Sequence, residues 1–297
     1  MKAAPVIEFP TPASVTLRAG MPEDASACGN ICFEAFKSIS EKHNFPPDFP
    51  SAEAAIGLMT SLFSNPDVRS TVAEADGRVV GSNFVWKYAP VAGIGPITVD
   101  PGSQNATVGR RLMEDALEHA RESRFPAVRL VQAGYHMRSL SLYTKLGFVV
   151  REPLVTLQGP ALGVSIPGHQ VRPAGRNDID ACTSLCVRVH GHARRHELRD
   201  AIRQGTATVV ERAGRISGYA TVIGFFGHAV AETNDGLKAL IGAASGFAGP
   251  GFLLPNRNAE VFGWCLQHRL RVVQPMTLMS IGLYNKPAGA FLPSILF

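Results

Sequence analysis

Val99-Asp100-Pro101-Gly102-Ser103-Gln104-Asn105-Ala106-Thr107-Val108-Gly109-Arg110-Arg111-Leu112 is the stretch that decides the reading of this chain. A β-rich run ends at its start, a helical pattern begins at its end, and small residues occupy the joint. The first backbone N–H groups of a helix lack intrahelical partners and the macrodipole is positive there, so an anion docks where side chains stay out of the way. The layout is that of a pyrophosphate cradle.

Further along, Ser139-Leu140-Ser141-Leu142-Tyr143-Thr144-Lys145-Leu146-Gly147-Phe148 reads as a short helix that ends in glycine and runs into an apolar strand. Either motif alone is common; their order and spacing carry the weight. Together they resemble the GNAT acetyltransferase superfamily, with its Gln or Arg-x-x-Gly-x-Gly or Ala run followed by Leu-Tyr-x-Lys-x-Gly-Phe.

The resemblance implies an α/β (α+β) fold with a mixed, mostly antiparallel twisted sheet flanked by helices, and acetyl-CoA as co-substrate. Backbone N–H groups over Asn105, Ala106, Thr107, Val108, Gly109 and Arg110, led by Gln104, would hold the pyrophosphate. The end of the fourth strand, Ile97, Thr98 and Val99, would face the thioester, with His136 and Ser139 along the pantetheine arm. Tyr143 would act as the acid, since a phenol of pKa about 10 is a suitable donor. Two positions depart from the pattern: Thr107 stands where the family prefers glycine, and His136 where many members carry asparagine.

An attacking amine must also lose a proton. Related enzymes often use a glutamate on the fourth strand, yet Ala92 to Val99 contains no carboxylate. The candidates elsewhere are Glu232, taken as the catalytic base, with His228 on the same strand, and Glu34, His43 and Asp48 on the first helix and the loop after it.

The organisation is duplicated. Leu17-Arg18, Glu23-Asp24 and Ala27-Cys28-x-x-x-Cys32 recur as Val171-Arg172, Asn177-Asp178 and Ala181-Cys182-x-x-x-Cys186, and Val72 to Gly81 parallels Val209 to Gly218 as strand, tight turn, strand. The expected layout is a flexible lead-in over 1–13, an acetyl-CoA-binding GNAT domain over 14–160 and a degenerate GNAT-like domain over 161–297. First-copy strands are expected near 14–18, 70–76, 79–87, 93–99, 127–133 and 147–156. The second copy has Thr233-Asn234-Asp235-Gly236-Leu237-Lys238 in place of the cradle, with an acid where an anion would sit.

With 297 residues, 45% of them hydrophobic, the chain can bury substantial cores, and a net charge of +5 suits an anionic ligand. The basic residues are dispersed and not interleaved with aromatics, which argues against nucleic acid, and no apolar run is long enough for a membrane span. The absence of a signal-peptide layout and the five cysteines in no framework pattern point to a cytoplasmic protein.

Cys182, Cys186, His190, His192 and His196 suggest a metal, but one straight helix cannot wrap residues four apart around a tetrahedral ion, so no metal is expected and the histidines read as surface or groove-edge residues. The leading expectation is an N-acetyltransferase acting on a small-molecule amine bound between the domains, with a homodimer left open. A non-catalytic acyl-CoA sensor or interaction module and a protein lysine acetyltransferase are the alternatives.

Overall fold

The computed structural model describes residues 15–88, 90–104 and 107–296. The lead-in over 1–13, and Asn105 and Ala106 of the cradle, lie outside the described residues. In the first half the order is β1 (Thr16–Ala19), α1 (Ala25–Lys42), α2 (Ala52–Phe63), β2 (Val68–Ala75), β3 (Arg78–Trp86), β4 (Val91–Ile94), β5 (Thr98–Val99), α3 (Val108–Glu122), β6 (Ala127–Ala133), α4 (Met137–Lys145) and β7 (Val149–Gln158). The second half runs β8 (Gln170–Pro173), α5 (Ile179–His190), α6 (Arg195–Gln204), β9 (Thr208–Arg212), β10 (Arg215–Ala220), β11 (Ala229–Ala231), α7 (Asn234–Ala243), β12 (Phe252–Pro255), α8 (Ala259–Gln267), β13 (Arg271–Gly282) and β14 (Ala290–Leu292).

The repeat has a physical core. Arg18 pairs with Asp24 at 2.7 Å and with Glu74 at 2.7 Å, while Arg172 pairs with Asp178 at 2.7 Å and with Glu211 at 2.6 Å. In each half the acid also accepts the amide three residues before it, Met21 or Gly175, which fixes the entry of the first helix. Cys28 and Cys32, like Cys182 and Cys186, then point into the core at helical spacing and are fully buried free thiols. The β2–β3 and β9–β10 hairpins turn through Asp76-Gly77 and Ala213-Gly214, all four at positive φ, the backbone that a two-residue hairpin requires.

The halves share strands. One sheet runs β1-β2-β3-β4-β6-β13-β7-β12, so β13 of the second half lies between β6 and β7 of the first, and β7 of the first half lies between β13 and β12 of the second. The exchange is reciprocal: Gly134 N–H donates to the Pro275 carbonyl at 2.8 Å, and Asn256 N–H donates to the Pro153 carbonyl at 2.9 Å. Leu154 and Leu157 on β7 are fully buried in this shared sheet, and truncation of such a side chain to alanine costs about 2–5 kcal/mol.

The second sheet runs β14-β11-β10-β9-β8. In the first half β4 pairs in parallel with β6. In the second half the strand corresponding to β4, β11, pairs instead with β14, whose Phe291 and Leu292 are 3% and 1% exposed. The chain's last strand thus fills the gap between β11 and β12.

Candidate active site

The fourth strand, expected as one run over 93–99, is split. Its first part, β4, pairs with β6 from Val91↔Ala127 to Gly93↔Arg129, and its second part, β5, pairs with β3. Beyond Gly93 and Arg129 the two strands diverge, which opens a cleft in the sheet beside the start of α3. Ile97 and Val99 pack against Val80, Val108 and Leu112, and Thr98, itself buried, shares a hydrogen bond with Ser82 at 3.3 Å. Side chains of this segment therefore face the core or β3, and its backbone edges the cleft.

The approach to α3 is tight. Asp100 caps a single helical turn by accepting the Gly102 amide at 2.8 Å, and Gln104 follows in extended backbone. Thr107 then adopts φ 63° and ψ −1°, the left-handed conformation, at the position where the family pattern has glycine. A β-branched residue there is strained by about 1–2 kcal/mol.

The Thr107 side chain does not cap α3, and no acid lies in its first turn. Among the first-turn residues, Arg110 pairs outward with Glu114 at 3.2 Å and Arg111 reaches the Val15 carbonyl, so neither arginine covers the helix start. A Cβ added at Gly109 would meet Val99 at 3.7 Å and Leu142 at 3.8 Å, in ordinary contact. At α7 the opposite holds: Thr233 accepts the Gly236 amide at 3.2 Å and Asp235 sits in the first turn. The first turn of α3 thus carries no acid, whereas that of α7 is capped by Thr233 and carries Asp235.

The second motif meets the first through Arg138, which donates to the Gln104 side chain at 3.1 Å. His136 Nδ1 and the Ser139 hydroxyl share a hydrogen bond at 2.7 Å. Burial pushes the His136 imidazole down to about 4, with Arg138 adding to the shift, so it is neutral at physiological pH. Tyr143 lies under this pair and beside Phe148 in the α3–α4 core; burial pushes its phenol up to about 12, and the Ser139 hydroxyl acts weakly the other way. In the second half Cys265 takes its place: Phe148 N–H donates to the Tyr143 carbonyl as Leu270 N–H donates to that of Cys265.

Glu232 is not gathered with these groups. It lies past β11 on the second sheet, where Arg215 at 2.8 Å and Arg188 at 3.1 Å engage its carboxylate and hold its pKa below the ordinary glutamate value, with Arg215 dominant. His228 is buried, bonded to the Tyr219 hydroxyl at 2.9 Å and pushed well down by desolvation. Glu34 is exposed.

Asp48 differs from all of these. It sits on the α1–α2 connection, where burial pushes its carboxyl up and the Gln274 side-chain amide, donating at 2.9 Å, partly offsets the rise. Gln274 also accepts from the Tyr135 hydroxyl at 3.2 Å, and Tyr135 stacks on Phe45 at 4.3 Å and lies 5.3 Å from the His43 ring. Tyr135 immediately precedes His136, which puts this cluster at the end of β6, next to the start of α4. Sequence reading passed over Tyr135 and Gln274; the available signal was one amide inside an apolar strand and a tyrosine at a strand end.

Of the histidines expected at the surface or a groove edge, His190 and His192 are buried, at 6% and 8% exposed, and His196 stacks with Tyr88 across the two halves.

Residues 34–148 match the Acetyltransferase (GNAT) family. An "IAA acetyltransferase" of Azospirillum brasilense is 30% identical over 118 residues, 39% of this chain and 76% of that protein. An acetyltransferase structure from Pyrococcus horikoshii superposes with a TM-score of 0.71 at 18% identity, covering 97% of each chain. A tandem GNAT protein from the clavulanic acid biosynthesis pathway superposes at 0.55 and 12% identity over 91% of this chain and 98% of that one. These structures share the fold across both halves. The chain belongs to the GNAT acetyltransferase family, whose acyl donor is acetyl-CoA.

Proposed function

We propose that the chain is an N-acetyltransferase that acetylates the amine of a small metabolite held between its two halves. The observation that carries this reading is Asp48: a carboxylate with a raised pKa, beside the cleft, fixed by a glutamine from the other half. A base of raised pKa both attracts an ammonium group and accepts its proton more readily than an ordinary aspartate.

The α3 start fits the donor's pyrophosphate, because the Thr107 side chain does not cap its amides and the first turn carries no acid. In this reading the amides of Val108, Gly109 and Arg110 hold the phosphates, with Asn105, Ala106 and Gln104 leading in, and the backbone of Ile97, Thr98 and Val99 lines the pantetheine path with His136 and Ser139. Bound acetyl-CoA supplies a thioester carbonyl open to attack. Asp48 takes the proton from the amine nitrogen. Tyr143, protonated up to about pH 12, keeps its hydrogen and offers it to the departing sulfur. Because a thiol titrates near 8.5, the phenol acts there as a hydrogen-bond donor and full transfer is uphill.

The second half supplies a wall of the acceptor pocket through Gln274 and no donor site of its own: β14 fills the corresponding gap and α7 is self-capped. Five buried free thiols suit a reducing, cytoplasmic setting. Among the described residues no helix is long and apolar enough to cross a membrane. Thiol release from acetyl-CoA across a panel of small amines tests the reading. Acceptor-dependent release supports it; donor binding without release for any amine or lysine peptide favours the sensor alternative.

A further inference from the structure

Side chains from both halves form a chain of hydrogen bonds that ends on Asp48. Ser40 of α1 donates its hydroxyl to the Phe36 carbonyl at 2.8 Å and lies 3.2 Å from the Tyr135 hydroxyl. Tyr135 donates to Gln274 Oε1 at 3.2 Å, and Gln274 Nε2 donates to Asp48 Oδ1 at 2.9 Å. Ser40, Tyr135 and Gln274 are all buried, and the Tyr135 ring is stacked on Phe45.

The direction of this chain follows from its end. An ionised carboxylate only accepts, so Gln274 must turn its N–H toward Asp48, which leaves Oε1 on the other side. An amide oxygen also only accepts, and the Tyr135 hydroxyl is the donor that meets it. Burial pushes the Tyr135 phenol up, Ser40 partly offsets this and the Asp48 charge adds to it, so the phenol keeps its hydrogen.

The influences on the Asp48 carboxyl are burial and the Gln274 bond, and the bond is the one that favours its ionised form. Cys32 of α1 and Tyr135 are the titratable groups that feel its charge. His43, at the end of α1, lies 5.3 Å from the Tyr135 ring and ties its Nδ1 to the Ile39 carbonyl at 2.9 Å. Linked hydrogen bonds polarise one another, so a donor on the amide oxygen strengthens the N–H offered at the other end.

At the equivalent place in the second half, Arg257 lies two residues past β12 as Tyr135 lies two past β6, and it donates to Glu152 on β7 at 2.8 Å. That pair carries its own opposite charges. The neutral Tyr135–Gln274 pair instead passes a donor on to Asp48.

We propose that Tyr135 is a positioning residue for proton removal: by donating to Gln274 Oε1 it holds the amide with Nε2 toward Asp48, which keeps that carboxylate aimed and ionised. The proposal rests on the reading of Asp48 as the proton acceptor.

Carbon-13 NMR of the full chain labelled at its aspartate carboxyls tests it, with Asp48→Asn identifying the resonance. In Tyr135→Phe the Asp48 midpoint rises by about 0.5–1 pH unit, or roughly three- to tenfold in its ionisation constant. In a Gln274→Met background the same substitution moves nothing further, because the effect travels through the amide. Thiol release from acetyl-CoA with the amine panel shows the acidic limb displaced by the same amount in Tyr135→Phe, with KM for acetyl-CoA unchanged. An unmoved midpoint, or a shift that persists in full without Gln274, overturns the role of Tyr135 alone. Full rate in Asp48→Asn overturns the reading of the base and this role with it. Should Tyr135→Phe fail to fold, the wild-type chain carrying 3-fluorotyrosine decides: its more acidic phenol is a stronger donor, so a lowered Asp48 midpoint supports the proposal and an unmoved one overturns it.

Discussion

Gln274, on a strand of the second half, donates its side-chain amide to Asp48 of the first half at 2.9 Å. The reciprocal exchange of β7 and β13 makes this contact possible, since it carries a second-half strand across to the edge of the first-half cleft. The acceptor side of the proposed site is therefore built by both halves.

Asp48→Asn keeps the shape of the side chain and removes the base. Steady-state acyl transfer is expected to show kcat reduced by about 10²–10⁴ with KM for acetyl-CoA unchanged. Stability moves the other way. A carboxyl whose folded pKa is raised binds its proton more tightly in the folded state, so its contribution favours folding at low pH and is lost as pH rises through the folded value. At neutral pH the variant should unfold at an equal or higher temperature than wild type. A drop in both stability and rate would mark Asp48 as a structural residue.

Tyr143→Phe preserves the contact with Phe148 and deletes the donor. We expect kcat to fall at least about tenfold while coenzyme A binding is unchanged. Wild-type rate should also show no alkaline decline from this group below about pH 12. A variant with full rate at every pH would remove the tyrosine from the chemistry.

At Thr107 the left-handed backbone suits glycine better than a β-branched residue. Thr107→Gly relieves about 1–2 kcal/mol of strain. It also loses up to about 1 kcal/mol through the freer unfolded chain. Denaturant unfolding should show the variant as stable as wild type or more so, with coenzyme A affinity retained. A fall of several kcal/mol would show that the threonine side chain is needed for the turn.

Acid should destabilise the chain. Burial lowers His136 and His192 to about 4, and drives His190 and His228 further down, so between pH 6.5 and 4 the unfolded chain binds more protons than the folded one. Stability is complete above the unfolded value and falls as pH drops through that window. Thermal unfolding at pH 7, 6, 5 and 4.5 measures it at about constant ionic strength; a flat profile contradicts the burial of these rings.

Much of this was legible in the sequence because it is local. The strand-to-helix joint before α3, the Tyr143 helix and the repeat of Arg18 and Asp24 as Arg172 and Asp178 are short motifs whose residues touch near neighbours, and the hairpin turns carry their own backbone demand. The exchange of β7 and β13 was not legible: the strand near 147–156 was expected within the first half, and neither composition nor period names the partner of a strand. Asp48 stood among several candidates because its distinction comes from Gln274, more than two hundred residues away. Glu232 drew notice by its place in the repeat, but Arg188 and Arg215, distant in sequence, engage it.

Titration calorimetry of coenzyme A into the full chain tests the central claim, that the open start of α3 forms the one donor site while α7 and β14 leave the second half without one. The account predicts saturable binding of one molecule per chain, and weakened binding when a carboxylate is placed at the helix start by Gly109→Asp. No binding, two molecules per chain, or an unaffected Gly109→Asp variant would contradict it.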